Sequence, residues 1–265
     1  MVLNAVSEIV KKRLGDPVRY IYGATEPERV DVYRAQTKHA PVFVFVHGGA
    51  WKTSDAQRNA FAAEMFVDAG IHYVLLEFTG IDQADGRLQT LVSQVSAGLR
   101  WVCENCDRFG GDATRVFVGA HSSGAHLTAA VLANRFADGT MKNPIKGALL
   151  CSGMYELGPV RLSKRSSYVR FDDAVVEELS ALRHLDKLSM PIVLAYGTEE
   201  TPEFQRQTRA FYDALSVAGK DVELIVAEGY NHFDIVESLG NPYGLLGRAA
   251  LSLVAGVTPG RPRKS

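Results

Sequence analysis

The stretch of this sequence best suited to chemistry is residues 119–126, Gly-Ala-His-Ser-Ser-Gly-Ala-His. It follows a short apolar run and leads into the helix-like run 127–133. A strand, a tight turn centred on one serine and a helix form a nucleophile elbow, which exposes the serine hydroxyl. Ser122 is the residue two before Gly124, as the elbow pattern requires, so it is the predicted nucleophile. Ser123 would take that place only if the register shifted by one.

A serine nucleophile needs a base and a set of donors that stabilise the oxyanion. Upstream, an apolar strand-like run ends in residues 47–51, His-Gly-Gly-Ala-Trp, whose glycines let backbone NH groups approach a substrate oxygen. Downstream, one strand-like run leads to Glu199 and Glu200, and the next leads to His232. The chain order is serine, acid, histidine, which is the order of an α/β hydrolase.

Four segments together resemble kynurenine formamidases (arylformamidases) and their relatives in the α/β-hydrolase superfamily. They are the loop at 47–51, the elbow, the segment 197–207 and the Asn-His-Phe-Asp sequence at 231–234. The elbow alone indicates a serine hydrolase, whereas the His-Gly-Gly-X-Trp loop combined with the Pro-Glu-Phe stretch indicates a formamidase. The resemblance implies cleavage of an N-formyl or N-acyl arylamine such as N-formylkynurenine, with no metal and no organic cofactor.

The expected roles follow the serine-hydrolase scheme. Ser122 attacks the carbonyl carbon, His232 takes its proton, and Glu200 orients the imidazole and stabilises its cationic form. Glu200 is selected because Glu-Thr-Pro-Glu-Phe at 200–204 aligns with the Asp-Ser-Pro-Glu-Phe pattern of the family. Glutamate is an accepted acid in such a triad. Glu199 stays open as a competitor, since it is the adjacent residue.

The expected oxyanion donors are the backbone NH groups of Gly49, Ala50 and Ser123. One position departs from the elbow pattern Gly-X-Ser-X-Gly, because Ala120 stands where the first glycine is usual. The methyl group of alanine is small and Gly119 precedes it, so we expect the elbow to remain active.

Aromatic residues near the predicted active-site loops could form a pocket for the aryl group of the substrate. The predicted substrate-binding residues are Trp51, Tyr155, Tyr168 and Phe204, with Phe78 and Phe233 as further candidates. Core packing is the alternative for each of them, because aromatic side chains are as often buried. Two of the four lie in the aperiodic segment 153–172, which we expect to form a small lid over the carboxyl ends of the strands. A simple surface connection is the alternative for this segment.

Other histidines and cysteines could suggest different chemistry. His121 and His126 flank the nucleophile, and we expect structural roles for both, while His47 is expected to fix the oxyanion loop through hydrogen bonds. Cys103 and Cys106 form a Cys-X-X-Cys pair near the end of a helical pattern. No second pair or nearby histidine completes four zinc ligands, so we interpret the pair as structural.

Strand-like and helix-like runs alternate along the chain, which predicts an α/β-hydrolase fold with a mainly parallel sheet and helices on both faces. Two early runs, 18–22 and 29–33, are expected to form an antiparallel edge. The later expected strands are 41–46, 72–78, 115–119, 146–151, 191–197 and 221–227. The expected helices after the N-terminus are 55–68, 86–106, 123–134, 173–183, 202–218 and 241–255.

The composition restricts the class of protein further. A chain of 265 residues with 46% hydrophobic content can form one domain, expected over 1–257, followed by a basic, disordered tail at 258–265. A net charge of -1 gives no electrostatic case for nucleic acid or membrane binding. The N-terminus, with Glu8 among its apolar residues, is typical of an amphipathic helix and not of a signal peptide. Together with three cysteines, which suit a reducing compartment, this predicts a cytoplasmic protein.

Two alternatives to the amidase function stay open. A carboxylesterase acting on short-chain or aryl esters would use the same residues. An α/β-hydrolase fold without activity, serving as a binding protein, is the alternative from another class. In each case the expected partner is a small molecule, and a homodimer is left open.

Overall fold

The computed structural model describes residues 2–52, 55–134 and 144–256. Its strands are β1 (Val18–Ile21), β2 (Arg29–Tyr33), β3 (Ala40–Val46), β4 (His72–Leu76), β5 (Gly111–His121), β6 (Ile145–Cys151), β7 (Ile192–Gly197) and β8 (Val222–Ala227). They form one sheet in the order β1-β2-β4-β3-β5-β6-β7-β8. β1 and β2 are antiparallel to their neighbours, and all other pairs are parallel. The predicted fold class, with its antiparallel edge, is confirmed.

The α-helices include the predicted N-terminal one. They are α1 (Val2–Leu14), α2 (Ala63–Asp68), α3 (Leu88–Asn105), α4 (Ser123–Asn134), α5 (Leu157–Arg161), α6 (Asp173–Leu179), α7 (Pro202–Val217), α8 (Asp234–Glu237) and α9 (Leu245–Val254).

Three predicted helices differ from the structure by more than two residues at one end. The first half of 55–68 is a 3₁₀ helix, Ala56–Ala62. The helix predicted over 173–183 ends at Leu179, because Ser180 adopts an extended backbone and its hydroxyl donates to the carbonyl of Val176. The last helix begins at 245 and not 241, since the side chain of Asn241 accepts the NH of Tyr243 and forms a turn.

Alternation along the strands divides the apolar residues between two cores, one on each face of the sheet. Val42 and Val44 of β3 pack on the face covered by α3, α4, α6 and α7. Phe43 and Phe45 point to the other face, which α1, α2 and α9 cover. There the ring of Phe43 stacks on Phe66 of α2, with a centroid distance of 4.4 Å. Helices therefore cover both faces, and the carboxyl ends of the parallel strands stay available for a site.

The segment expected to form a lid, 153–172, connects β6 to α6. It contains α5 and a 3₁₀ turn, Lys164–Ser167, and it contacts the loop before α3 through the NH of Arg170, which donates to the carbonyl of Gly86 at 2.9 Å. The basic tail expected at 258–265 lies outside the described residues.

The Cys-X-X-Cys pair lies at the end of α3 and in the 3₁₀ turn that follows it. Both thiols are free and buried, and burial raises the pKa of Cys103 to about 12 and that of Cys106 to about 11. Within 2–52, 55–134 and 144–256, no group of three His, Cys, Asp or Glu side chains is placed to hold a metal ion. None of the helices in these ranges is long and apolar enough to cross a membrane.

Candidate active site

The elbow places Ser122 between the end of β5 and the start of α4. Its backbone is left-handed, with φ of +55°, a conformation that costs energy in a residue other than glycine. Two hydrogen bonds hold the turn: the NH of Ser122 donates to Cys151 O at 2.9 Å, and its carbonyl accepts from the NH of His126 at 3.2 Å. Gly124 is required by packing, since a Cβ there would lie 2.3 Å from His47 O. The elbow is thus held against the end of β3.

Two hydrogen bonds connect Ser122, His232 and Glu200. His232 Nε2 is 2.9 Å from Ser122 Oγ, and His232 Nδ1 is 2.7 Å from Glu200 Oε2. Because a carboxylate only accepts hydrogen bonds, Nδ1 carries the imidazole proton and Nε2 accepts from the serine hydroxyl. The second carboxylate oxygen, Oε1, accepts from the hydroxyl of Ser152 at 2.6 Å and from the NH of Gly197 at 2.8 Å.

The carboxylate of Glu200 is buried yet ionised. Burial alone would raise its pKa, but hydrogen bonds from His232, Ser152 and the Gly197 NH outweigh that effect and hold the pKa below its usual value. Glu199, the competitor left open by the sequence, is exposed, and its NH donates to a backbone carbonyl. The structure therefore brings Glu200, and not Glu199, to the histidine.

The predicted oxyanion loop has an unusual backbone. Gly49, Ala50 and Trp51 have φ of 122°, 54° and 64° in succession. Trp51 fixes the loop to α4, since its NH donates to Ser123 Oγ at 3.1 Å and its indole NH donates to His126 Nδ1 at 3.2 Å. Ser123 is the first residue of α4, and the NH groups of a first helical turn lack intrahelical acceptors. The structure thus brings the three expected donor residues to one place beside the elbow.

A second histidine and glutamate pair lies beneath this loop. His47 Nε2 is 3.1 Å from Glu77 Oε1, and His47 Nδ1 is 2.8 Å from Gly48 O. Glu77 is 1% exposed, and its Oε2 accepts from the NH of Ala56 at 2.7 Å and lies 3.6 Å from the guanidinium of Arg29. The expectation that His47 forms hydrogen bonds agrees with these contacts. Glu77 was missed, although a carboxylate directly after an apolar strand is a usable signal.

A cleft of about 590 Å³ contains the elbow serine, His232 and the loop residues Gly49 and Ala50. The apolar part of its lining includes Leu3, Phe204 and Phe233, and its charged residues are Asp55, Arg58 and Arg165. Such a mixture of apolar surface and a few polar groups suits a small organic ligand.

Of the four predicted substrate-binding residues, Phe204 lies in the cleft, with its ring centroid 4.3 Å from that of His232. Phe233, a further candidate, also lines the cleft and is 72% exposed. Phe78 does not, because it is buried and stacks on His47 at 4.6 Å.

The other three predictions are corrected, because these side chains pack elsewhere. Trp51 is buried against His126 behind the loop. Tyr155 is fully buried and stacks on Phe211 of α7 at 4.3 Å. Tyr168 lies outside the cleft. The ammonium group of Lys52 is 4.1 Å from the centroid of its ring.

The two histidines next to the nucleophile use their ring nitrogens on structural partners. His121 Nε2 donates to His232 O at 2.9 Å, so it supports the backbone of the neighbouring histidine. His126 Nε2 donates to Leu179 O at 3.2 Å. Burial lowers the pKa of His121 to about 3, with a further contribution from His232, and burial lowers that of His126 to about 4. Both imidazoles are therefore neutral at pH 7.

Ser152 is a site residue that sequence reasoning missed. It follows β6 with a left-handed φ of 53°, its NH donates to Ala195 O at 2.8 Å, and its hydroxyl reaches Glu200. The only signal in the sequence is a small polar residue directly after a buried strand. That signal is weak without the sheet order that places β6 beside β7.

The sheet and the elbow together define an α/β hydrolase. The BD-FAE family model matches residues 30–148. The kynurenine formamidase of Salmo salar is 32% identical over 232 residues, which cover 82% of this chain and 75% of that protein. The chain therefore belongs to the kynurenine formamidase family, and it is a hydrolase of an amide or ester bond.

Two further comparisons extend the range of relatives. An isoprenylcysteine alpha-carbonyl methylesterase of Arabidopsis thaliana is 27% identical over 247 residues, covering 81% of this chain and 56% of that protein. The structure of esterase B from Lactobacillus rhamnosis superposes with a TM-score of 0.77 at 15% identity, covering 95% of this chain and 91% of the other. At 15% sequence identity, this structural similarity shows a shared fold and nothing about the reaction.

Proposed function

We propose that this protein hydrolyses an N-formyl or N-acyl arylamine through a Ser122, His232 and Glu200 triad and an acyl-enzyme. The observation that carries the proposal is the continuous hydrogen-bond chain from Ser122 Oγ through both nitrogens of His232 to Glu200 Oε2, with distances of 2.9 Å and 2.7 Å. The membership of the formamidase family supports the choice of an arylamide.

In the first half of the reaction, Ser122 Oγ attacks the carbonyl carbon and its proton moves to His232 Nε2. Glu200 stabilises the imidazolium, because its carboxylate is ionised and held by Ser152 and Gly197. The tetrahedral intermediate then releases the arylamine as the carbon–nitrogen bond breaks and the His232 proton passes to the leaving nitrogen. In the second half, water attacks the acyl carbon while His232 Nε2 takes its proton. The carbon–Oγ bond then breaks, the His232 proton returns to Ser122 Oγ, and formic acid or another carboxylic acid is released.

The oxyanion of each tetrahedral intermediate is proposed to accept from the backbone NH groups of Gly49, Ala50 and Ser123. The positive φ angles of the loop and the contact between Trp51 NH and Ser123 Oγ support this assignment, because they hold loop and helix start together. A preorganised donor of this kind contributes about 3 kcal/mol to transition-state stabilisation.

A carboxylesterase acting on short-chain or aryl esters is the second candidate. The methylesterase relative favours it, since that protein is named for an ester. Both reactions use the same triad, but an amide places a heavier demand on His232, which must protonate a poor leaving group. The apolar surface of Phe204 and Phe233 in the cleft supports an aryl group in either case. A homodimer and a cytoplasmic location stay predictions from the sequence.

The test compares substrates that differ in one feature. Formanilide and acetanilide differ in the acyl group, and acetanilide and phenyl acetate differ in the leaving atom. The proposal expects measurable kcat/KM on formanilide and on N-formylkynurenine, lost in Ser122→Ala. Turnover of phenyl acetate without any amide turnover would favour the carboxylesterase. Failure on all four substrates would contradict both candidates.

A further inference from the structure

The cleft contains one cation that no described carboxylate neutralises. Asp55 and Arg58 pair with each other at 2.8 Å and are largely exposed. Arg165, on the 3₁₀ turn of the lid segment, is half-buried and lines the same cleft as Ser122. Among residues 2–52, 55–134 and 144–256, no acidic side chain forms an ion pair with Arg165.

Two aromatic rings hold the guanidinium of Arg165 in the cleft. Its central carbon is 5.8 Å from the ring centroid of Trp51 and 6.0 Å from that of Phe204. Phe204 in turn contacts the ring of His232. The ring of Phe204 therefore contacts both the guanidinium of Arg165 and the imidazole of His232, the proposed base.

The hydrogen-bonding state of Arg165 also points to a ligand. Its Nε is buried, and among the described residues it has no acceptor. Because Nε is closed off from the cleft, a ligand meets the terminal NH groups of this half-buried side chain. A carboxylate fits them, since its two oxygens can accept from two NH groups of one guanidinium at the same time.

We propose that Arg165 binds a carboxylate on the substrate, so that the enzyme selects anionic aryl amides or esters over neutral ones. The inference rests on the proposed function, because it names the substrate class of that same cleft. A single unpaired arginine matches the single negative charge of a carboxylate. A phosphate dianion would call for a second unpaired cation, and the other arginine of the cleft, Arg58, is already paired with Asp55.

A purely structural role for Arg165 makes a different prediction. If the guanidinium only held the lid segment against Trp51 and Phe204, its loss would slow neutral and anionic substrates alike. Charge recognition instead affects the anionic substrate alone and acts mainly through KM. Matched pairs of substrates therefore separate the two roles.

The test uses acetoxyphenyl carboxylic acids with one, two or three methylenes between ring and carboxylate, each compared with its primary amide. We expect the wild-type protein to prefer at least one acid over its amide by about tenfold or more in kcat/KM. In Arg165→Gln, that acid should lose about tenfold to a hundredfold, while the amide changes by less than about threefold. Arg165→Lys should retain part of the preference, since it keeps the charge but loses the planar fork.

The matched control is Arg170→Gln, on the same segment. Arg170 is exposed and pairs with Asp85 at 2.7 Å outside the cleft, so its loss should leave the preference for acids unchanged. Equal rates on acid and amide in the wild-type protein, or equal losses on both in Arg165→Gln, would overturn the inference while leaving the proposed function intact. Failure of the wild-type protein to cleave any of these esters would instead count against the proposed function, and with it the inference.

Discussion

Two histidine and glutamate pairs each contribute a histidine to the lining of the cleft, and the same residue types do different things in each pair. In one pair, His232 contacts Glu200 at 2.7 Å and turns its other nitrogen to the hydroxyl of Ser122. In the other pair, His47 contacts Glu77 at 3.1 Å and turns its other nitrogen to a backbone carbonyl.

The difference lies in what the second nitrogen meets. The nitrogen of His232 meets a group that can give up a proton, and the side chain is 18% exposed at the cleft. Both nitrogens of His47 face oxygen atoms that only accept hydrogen bonds, and its side chain is only 3% exposed, so neither nitrogen faces a hydroxyl group from which it could take a proton. A buried carboxylate beside a histidine is thus insufficient to make a base. What decides is the partner of the ring nitrogen that faces away from the carboxylate. A hydroxyl there lets the histidine act as a base, whereas a backbone carbonyl there leaves the histidine to support a loop.

The largest expected effect on activity comes from substituting the histidine of each pair. His232→Gln should lower kcat/KM on phenyl acetate by about 10⁴-fold or more, as loss of a catalytic base does in other serine hydrolases. His47→Gln should cost about tenfold to a hundredfold, because it loosens the oxyanion loop without removing the base. Urea unfolding of both variants checks that they are folded. Equal losses in two folded variants would contradict the distinction.

The next effect concerns the acid. Glu200→Gln should lower kcat/KM by about 10³-fold, since the amide no longer stabilises the imidazolium and favours the wrong tautomer. Glu199→Gln is the matched control one residue away, and because this side chain is exposed we expect a change within about twofold. Steady-state kinetics on one ester are sufficient. A larger loss in Glu199→Gln than in Glu200→Gln would reverse the assignment.

Substitution of Glu77, unlike that of Glu200, should affect the stability of the protein more than its rate. It accepts from Ala56 NH and Phe78 NH and pairs with His47 and Arg29, so Glu77→Gln leaves buried donors poorly matched. We expect the free energy of unfolding to fall by about 2 kcal/mol and the rate by about tenfold. Urea unfolding and kinetics on the same preparation measure both. A folded variant with unchanged stability and a rate as low as that of Glu200→Gln would contradict this role.

The smallest expected effect is on stability and comes from His126, whose ring nitrogens contact Trp51 and the carbonyl of Leu179 and no carboxylate. Burial lowers its folded pKa from 6.5 to about 4, so between these values the unfolded chain binds a proton that the folded chain does not. Stability therefore falls as the pH drops through this window, by up to about 1.4 kcal/mol per pH unit from this group. His126→Gln lacks the titration. Its deficit in unfolding free energy relative to the wild-type protein should shrink between pH 7 and pH 5, and an unchanged deficit would count against a neutral buried imidazole.

The sequence could indicate the fold because most parallel strands contain an apolar run and most of the longer helices are amphipathic, although α4 is buried on all sides. It could also indicate Ser122, Glu200 and His232, since each follows a predicted strand and the carboxyl ends of parallel strands meet at one edge. The structure places Ser122 and Glu200 within hydrogen-bonding distance of the two ring nitrogens of His232.

The remaining features depend on facts that a linear pattern does not contain. Tyr155 and Trp51 were assigned to the pocket because they are aromatic, but the face to which a ring turns depends on packing against Phe211 and His126. Ser152 becomes a partner of Glu200 only because β6 lies beside β7 in the sheet. The predicted helix end at 183 and helix start at 241 were wrong for a related reason, since local side-chain hydrogen bonds of Ser180 and Asn241 set the observed ends.

The most direct test of the central claim is labelling of the wild-type protein with a fluorophosphonate, followed by mass spectrometry of its peptides. The reagent reacts with a serine only where a base and oxyanion donors activate the hydroxyl. We predict one adduct, on the peptide that contains Ser122, and its loss in both Ser122→Ala and His232→Gln. No adduct on the folded protein, or an adduct on Ser123 instead, would contradict the assignment of Ser122 as the nucleophile.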